Sequence, residues 1–377
     1  MAVSVIVPAH NAASTIGATL QSLCSQSLRS WEAIVVDDGS TDETAVIGAA
    51  FAERDSRIRV VRQTRQGESG ARNAGIALSR FSCLMFLDAD DWVLPQCLER
   101  QIAVLNSSPD ADVAVCGWVH VTPDGTQFGP GLSPAVTEPF PLLGRVNPFA
   151  VHACVLRRRV VDGVQLFDTS LRTCADWDFW QRVARTGARF ATTPEVLACY
   201  RVRPGSASSH PRQLLRDGLQ VIARAYGRDP RVVAPDPKYA GGLPVDQLPS
   251  ARLGFVSWPA GLMLGRGEDA RPLLDLVHEE HAADLDPNCV AGLLFTAVPV
   301  AAARPPAAWP ALWQRLQRPI RLYLHALERQ SGTAGLAQSA GRILEYLIRQ
   351  QSTGAGQRLR ASILKMARRA GPRPAVP

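Results

Sequence analysis

The sequence predicts an α/β fold with a mostly parallel central sheet over residues 1–209, followed by a mainly helical extension over residues 210–377. Short apolar runs alternate with helix-like stretches from the first residues on, and polar residues gather where those runs end. After Ser209 the chain changes to an Arg- and Ala-rich helical pattern broken by proline-containing stretches. At 377 residues, with 46% hydrophobic and 20% charged, it exceeds a typical single domain and can bury a sizeable core.

The runs at residues 3–7, 33–36, 58–61 and 83–87 have the length and apolar continuity of buried strands. Candidate helices lie between them near residues 15–24, 42–55 and 70–79, and such β-α-β alternation implies parallel strands with helices on both faces. Ser40 and Glu43 fit a capping box for the second helix, and Gly39 permits a tight turn before it. Ligands of these sheets bind beyond the carboxyl ends of the strands. His10 and Asn11 follow the first run, Asp37 and Asp38 the second, and Asp88, Asp90 and Asp91 the fourth, so three polar clusters should converge on one rim. Gly- and Pro-rich residues 122–148 read as one long loop of the kind that serves as a lid.

Composition removes several function classes. Residues 341–377 carry eight basic residues against one acid, Glu345, which accounts for the whole formal net charge of +7 and leaves the body neutral. A nucleic-acid-binding core needs clustered cations on the domain itself, so no nucleic-acid partner is expected. Lysine occurs only at 238 and 365, so the first 237 residues contain no G-x-x-x-x-G-K-[ST] phosphate loop. Any phosphate there must be neutralised by arginine, a helix N-terminus or a metal. The eight cysteines form no C-x-x-C pair and read as reduced thiols; with no leader evident before residue 3, a cytoplasmic protein is expected.

In L-M-F-L-D-A-D-D, residues 84–91, an apolar strand runs straight into three carboxylates. Two carboxylates ~5 Å apart repel by roughly 3 kcal/mol at an effective dielectric near 20, which favours a bound cation. Oxygen-only ligands suit Mg²⁺ or Mn²⁺ on Asp88 and Asp90, with a substrate diphosphate completing the coordination. The plainer reading of a lone D-x-D is a solvated turn. A second acidic pair, Asp37-Asp38, is left unexplained by the capping box, and a carboxylate there can accept a hydrogen bond from a nucleotide base.

Together with V-S-V-I-V-P-A-H-N-A at residues 3–12 and Q-G-E-S-G-A-R-N-A-G at residues 66–75, these strings resemble the family 2 glycosyltransferases over residues 2–209. The resemblance implies a GT-A fold and an inverting transfer from a nucleotide-diphosphate sugar, a UDP-sugar by expectation, to a hydroxyl of a glycan or lipid-linked acceptor. It implies that Pro8, Ala9 and Asn11 line the nucleotide pocket, that Asp37 and Asp38 meet base and ribose, and that Arg72 and Asp88 lie near the diphosphate. Asp88 and Asp90 would hold the metal, and the long loop would govern acceptor access. Arg72, taken alone, reads more readily as a helix-surface residue, and only its place in the A-R-N-A-G string points to the diphosphate. The catalytic base falls on Asp176 in C-A-D-W-D-F-W-Q-R, where Ala175 replaces the family's usual glutamate.

Asp176 also sits where a helix N-cap is expected, which would lower its pKa and weaken it as a base; Asp178 is the second choice. Trp177 and Trp180 either stack on a sugar or pack into the core. Arg201, Arg203 and Ser206 suit a loop over the diphosphate or a plain surface turn at Pro204-Gly205. Residues 289–303 are apolar but too short to span a bilayer and read as a buried helix. The basic amphipathic stretch at residues 341–370 either lies on an anionic membrane surface, at the inner face of the membrane, or packs as a solvated helix. Two other functions remain open: a catalytically silent nucleotide-sugar-binding scaffold, and a sugar nucleotidyltransferase.

Overall fold

The structure, a computed structural model, describes residues 1–123, 125–131, 137–202, 210–277 and 284–351. Two compact units form. The first takes the described residues of 1–121, 130–201 and 227–243, and the second those of 122–129, 202–226 and 244 onward.

The first unit opens with β1 (Val3–Ala9), α1 (Ile16–Cys24), β2 (Trp31–Asp38), α2 (Thr44–Arg54), β3 (Ile58–Gln63), α3 (Gly67–Leu78) and β4 (Cys83–Phe86). There follow β5 (Trp92–Val93), α4 (Cys97–Ser107), β6 (Val113–Val121), β7 (Gln127–Gly131), α5 (Pro139–Leu143), β8 (Cys154–Arg157), α6 (Ala175–Arg185) and β9 (Phe190–Arg201). The sheet runs β3-β2-β1-β4-β8-β6-β9-β5. Its first four strands pair in parallel, and antiparallel β8 joins them to the parallel pair β6 and β9. Every residue of β1, β2 and β4 is buried, the condition under which strands read as unbroken apolar runs. Chain order reverses between β1 and β4, which makes the carboxyl ends of these two strands the switch point of the sheet.

Two expectations change. The anticipated single loop at 122–148 contains β7 and α5, because the apolar Phe140 and Leu143 are fully buried and draw that segment onto the fold; residues 124 and 132–136 fall outside the described residues. Residues 227–243, within the expected extension, pack in the first unit. Arg231 there pairs with Asp168 at 3.3 Å, Asp178 at 2.9 Å and Asp229 at 2.7 Å.

The second unit is helical, with α7 (Pro211–Ala225), α8 (Leu248–Gly265), α9 (Pro287–Ala301), α10 (Trp309–Ser331) and α11 (Leu336–Gln351). The apolar stretch foreseen at 289–303 is α9, whose Leu294, Ala297 and Val298 are fully buried. No single helix among the described residues is long and apolar enough to cross a membrane.

Helix α3 lies close on β1 because Gly75 has no side chain: a Cβ there would stand 2.3 Å from Ile6 Cγ2. Gly75→Ala therefore forces strand and helix apart. The expected cost is about 1–3 kcal/mol of unfolding free energy, read by thermal or denaturant melts. A melt indistinguishable from wild type would show that this approach is not tight.

Candidate functional site

The ends of β1 and β2 are tied together by side chains. Asn11 takes a left-handed φ of 48°, its Oδ1 accepts Thr41 N–H at 2.9 Å, and its own N–H donates to Ser40 Oγ at 3.0 Å. The expected capping box is not formed, because the cap position falls on Glu43, three residues after Ser40. The helix begins at Thr44 instead, with Asp42 accepting the N–H groups of Thr44 and Ala13, each at 3.0 Å. Pro8 and Ala9, the last two residues of β1, are buried beside Val36 and Asp37 of β2.

The two carboxylates after β2 have different surroundings. Asp38 is filled by three donors: Gln63 Nε2 and Gln66 N–H on one oxygen, both at 2.7 Å, and Gly67 N–H on the other at 2.8 Å. It thereby anchors the first residue of α3. Asp37 is fully buried and accepts Ser40 N–H at 3.2 Å. Its other oxygen lies 3.2 Å from Arg62 Nε and makes no hydrogen bond, so it keeps acceptor capacity.

Helix α3 carries Arg72 to the end of β4. The guanidinium is 2% exposed, and its Nη2 donates to Asp88 Oδ1 at 2.6 Å and to Glu68 one turn earlier. Phe167 lies beneath it, 5.2 Å from ring centre to guanidinium carbon. Asn73 sets that ring by bonding both the N–H (2.9 Å) and the carbonyl (3.0 Å) of Phe167. Arg72 is thus no surface residue. Burial alone would weaken its charge, but Glu68, Asp88 and Asp176 outweigh this and hold it firmly cationic. Around Glu68, whose side chain is 56% exposed, Arg72 pulls the carboxyl down. The nearby Asp88, Asp176 and Asp90 push it the other way, and the net direction is upward.

The turn after β4 separates the remaining acids. Asp88 and Asp90 are partly exposed, whereas Asp91 is buried. Asp91 accepts Arg201 N–H at 2.7 Å and lies 3.1 Å from His152 Nδ1. Burial first, then the neighbouring Asp90 and Asp88, push Asp91 well up, and burial drives His152 down to about 4. Arg201 also donates from Nε to the Asp90 carbonyl at 2.7 Å and lies over Trp92. Arg203 and Ser206 lie outside the described residues. Asp88 and Asp90 are hard oxygen donors that fit Mg²⁺ or Mn²⁺, but among the described residues no three His, Cys, Asp or Glu side chains form a cation cage. A cation here has to draw its other ligands from substrate or water.

Asp176 is not the N-cap. Cys174 holds that position at a left-handed φ of 59°, which places Asp176 inside the first turn of α6. Burial raises its carboxyl, opposed by Arg72 and by hydrogen bonds that include Asn147 Nδ2 at 2.9 Å. The net upward direction is what a base requires, and it overcomes the lowering expected of a helix N-terminus. Asp178 is fully buried and neutralised by Arg182 at 3.0 Å and Arg231 at 2.9 Å. Trp177 and Trp180 are buried as well, with Trp177 Nε1 donating to the Leu143 carbonyl at 2.7 Å, so they belong to the core.

The switch point therefore gathers Asp88, Asp90 and Asp176 with the buried Arg72, while Asp37 stands at the end of β2 beside Ala9; the structure adds Glu68, Asn73 and Asn147, which sequence reasoning passed over. The four-residue spacing of Glu68 and Arg72 on one helix was the available signal.

Residues 4–164 match the family model described as glycosyl transferase family 2. The chain is 30% identical over 219 residues to the uncharacterized glycosyltransferase EpsJ of Bacillus subtilis (55% of this chain, 63% of that one). It is 33% identical over 236 residues to the succinoglycan biosynthesis protein ExoO of Rhizobium meliloti (59% and 66%). It thus spans just under two thirds of the length of these curated relatives. Among solved structures it is similar to S. aureus TarS 1–349 in complex with UDP-GlcNAc, at TM-score 0.53 and 18% identity, covering 94% of this chain and 92% of that one. It is also similar to the mannosyltransferase PcManGT of Pyrobaculum calidifontis in complex with GDP-Man and Mn²⁺, at TM-score 0.51 and 20% identity (85% and 86%). The fold is the GT-A fold.

A raised carboxyl makes a stability statement. Asp176 favours the fold most when protonated, below its ordinary pKa of 3.8, and this contribution is lost as pH rises through the elevated folded-state value. Asp176→Asn is therefore expected to melt higher than wild type at pH 7.5, with the difference vanishing as pH falls toward 4. A difference independent of pH would contradict the raised pKa.

Proposed function

Because residues 4–164 match the glycosyl transferase family 2 model, we propose that the chain belongs to that family and transfers a sugar, with inversion, from a UDP-sugar to a hydroxyl acceptor in polysaccharide synthesis, assisted by Mg²⁺ or Mn²⁺. The observation that carries this is the gathering of Asp88, Asp90 and Asp176 around Arg72 at the carboxyl ends of β1 and β4. Support for the nucleotide comes from the TarS complex and for the cation from the PcManGT complex, each at the level of fold. Residues 1–209 would carry the donor site, and residues 210–377, apart from 227–243 in the first unit, the extension.

Each residue then has a task. Asp37 would accept from the base N–H with the oxygen that Arg62 ion-pairs but no hydrogen bond fills, while Asn11, Pro8 and Ala9 shape the pocket floor. Asp38 meets the ribose or serves it indirectly by fixing the start of α3. Asp88 and Asp90 would hold the cation, which supplies charge stabilisation to the departing diphosphate. Arg72 faces the same charge with donors already oriented and shielded from water. Asp176 removes the proton from the acceptor hydroxyl as its oxygen forms a bond to the anomeric carbon; the carbon–oxygen bond to the nucleotide diphosphate breaks on the opposite face. With Ala175 preceding it, the base has no neighbouring glutamate on α6, so acceptor placement falls to other elements.

Calorimetry with UDP and Mn²⁺ tests the donor site. Asp90→Ala is expected to weaken metal-dependent binding by about tenfold or more, roughly 1.4 kcal/mol. Asp176→Asn should bind UDP as wild type does and lose about 10²- to 10⁴-fold in kcat. Equal UDP affinity with and without metal, or an active Asp176→Asn, would refute these assignments.

The basic stretch at 341–370, of which residues 352–370 lie outside the described residues, is proposed to rest on an anionic membrane surface where lipid-linked acceptors reside. The full chain should then bind vesicles containing anionic lipid and leave them at high salt. Binding insensitive to lipid charge would count against it.

A further inference from the structure

Arg72 Nη2 is held twice, by Asp88 and by Glu68, and from this we infer that Glu68 is a positioning residue that takes over the guanidinium when a divalent cation occupies Asp88. The inference rests on the proposed role of Asp88 and Asp90 as cation ligands.

The need for a second holder follows from burial. Arg72 is 2% exposed and its Nε has no hydrogen-bond partner, so water does not replace a lost counter-ion. Asp88 has one negative charge, and a divalent cation drawn to it competes with Arg72 for that charge while repelling the guanidinium. Without another acid, cation binding would either displace Arg72 or be opposed by it. Glu68 supplies that acid from the first turn of the same helix, on the i,i+4 spacing that lets the two side chains meet. An ordinary pair at this spacing is solvated on both sides and contributes little. This one has a buried member, and Phe167, set by Asn73, supports the guanidinium.

The handover leaves Arg72 where it stands. Before loading, one guanidinium bridges two carboxylates; after loading, Glu68 keeps it while Asp88 turns its charge to the cation. The surrounding acids agree with this exchange. Glu68 and Asp88 touch the guanidinium and Asp176 and Asp90 lie near it, so the cluster holds more acidic groups than one arginine offsets. A dication relieves that surplus, and Glu68 lets it do so without releasing the arginine.

The test is Mn²⁺ affinity, read from the EPR signal of free Mn²⁺ during titration of the full chain with and without saturating UDP. Glu68→Gln removes the charge. Glu68→Asp keeps the charge but is one methylene too short to reach Arg72 in the same way. Because Glu68 is largely exposed on a first turn, both variants should fold, which circular dichroism checks. Handover through contact expects both to weaken Mn²⁺ binding about tenfold. Glu68→Asp matching wild type while Glu68→Gln weakens would mean that Glu68 acts only by its field, and two unaffected variants would mean that it does not act on the cation; either result overturns the inference. Wild type that binds Mn²⁺ with no help from UDP refutes the donor reading alone, since the variants still report on the handover. Wild type that binds no Mn²⁺ overturns both.

Discussion

One buried guanidinium governs the architecture of this site. Arg72 reaches the end of β4 only because α3 starts at a fixed point and lies close on β1. Asp38 supplies the fixed point through its bonds to the N–H groups of Gln66 and Gly67, and Gly75 permits the approach to Ile6. Phe167 and Asn73 then complete the surroundings of the cation. Once the arginine is placed, the charges around it follow. Asp88 and Glu68 touch it, Asp176 acts on it through space, and the surplus of acidic groups over the one guanidinium suits a divalent cation.

The same surplus accounts for the chemistry assigned to Asp176. A carboxylate at a helix start is ordinarily a weakened base. Burial and the nearby Asp88 reverse that tendency, while Asn147 keeps one oxygen oriented. Asp178, two residues on, has the opposite surroundings: Arg182 and Arg231 hold it in an ion-paired network. Two aspartates on one helical turn thus separate into a reactive group and a structural one by their neighbours.

Much of this could be read from the chain because the signals were local. Strands buried on both faces, such as β1 and β2, announce themselves as apolar runs, and the acids that follow them mark the rim. Less was legible where partners are distant in sequence. The Ser40–Glu43 pattern satisfied a local rule, yet the Ser40 hydroxyl accepts the Asn11 N–H. The left-handed Cys174 moved the cap of α6 two residues ahead of Asp176. Residues 227–243 joined the first unit through Arg231, whose acidic partners lie as far as 63 residues away. Antiparallel β8 entered between β4 and β6 by a pairing that no periodicity foretells. Glu68 lay within a string already singled out, but its importance depends on the burial of Arg72, which sequence alone left undecided.

The most direct test of the whole arrangement is anomalous diffraction from crystals grown with UDP and Mn²⁺. A manganese peak on the carboxylates of Asp88 and Asp90, with the diphosphate between it and Arg72 and the uracil at Asp37, is the expected result. A peak elsewhere, or a nucleotide bound away from the ends of β1 and β4, would contradict a donor site organised by Arg72.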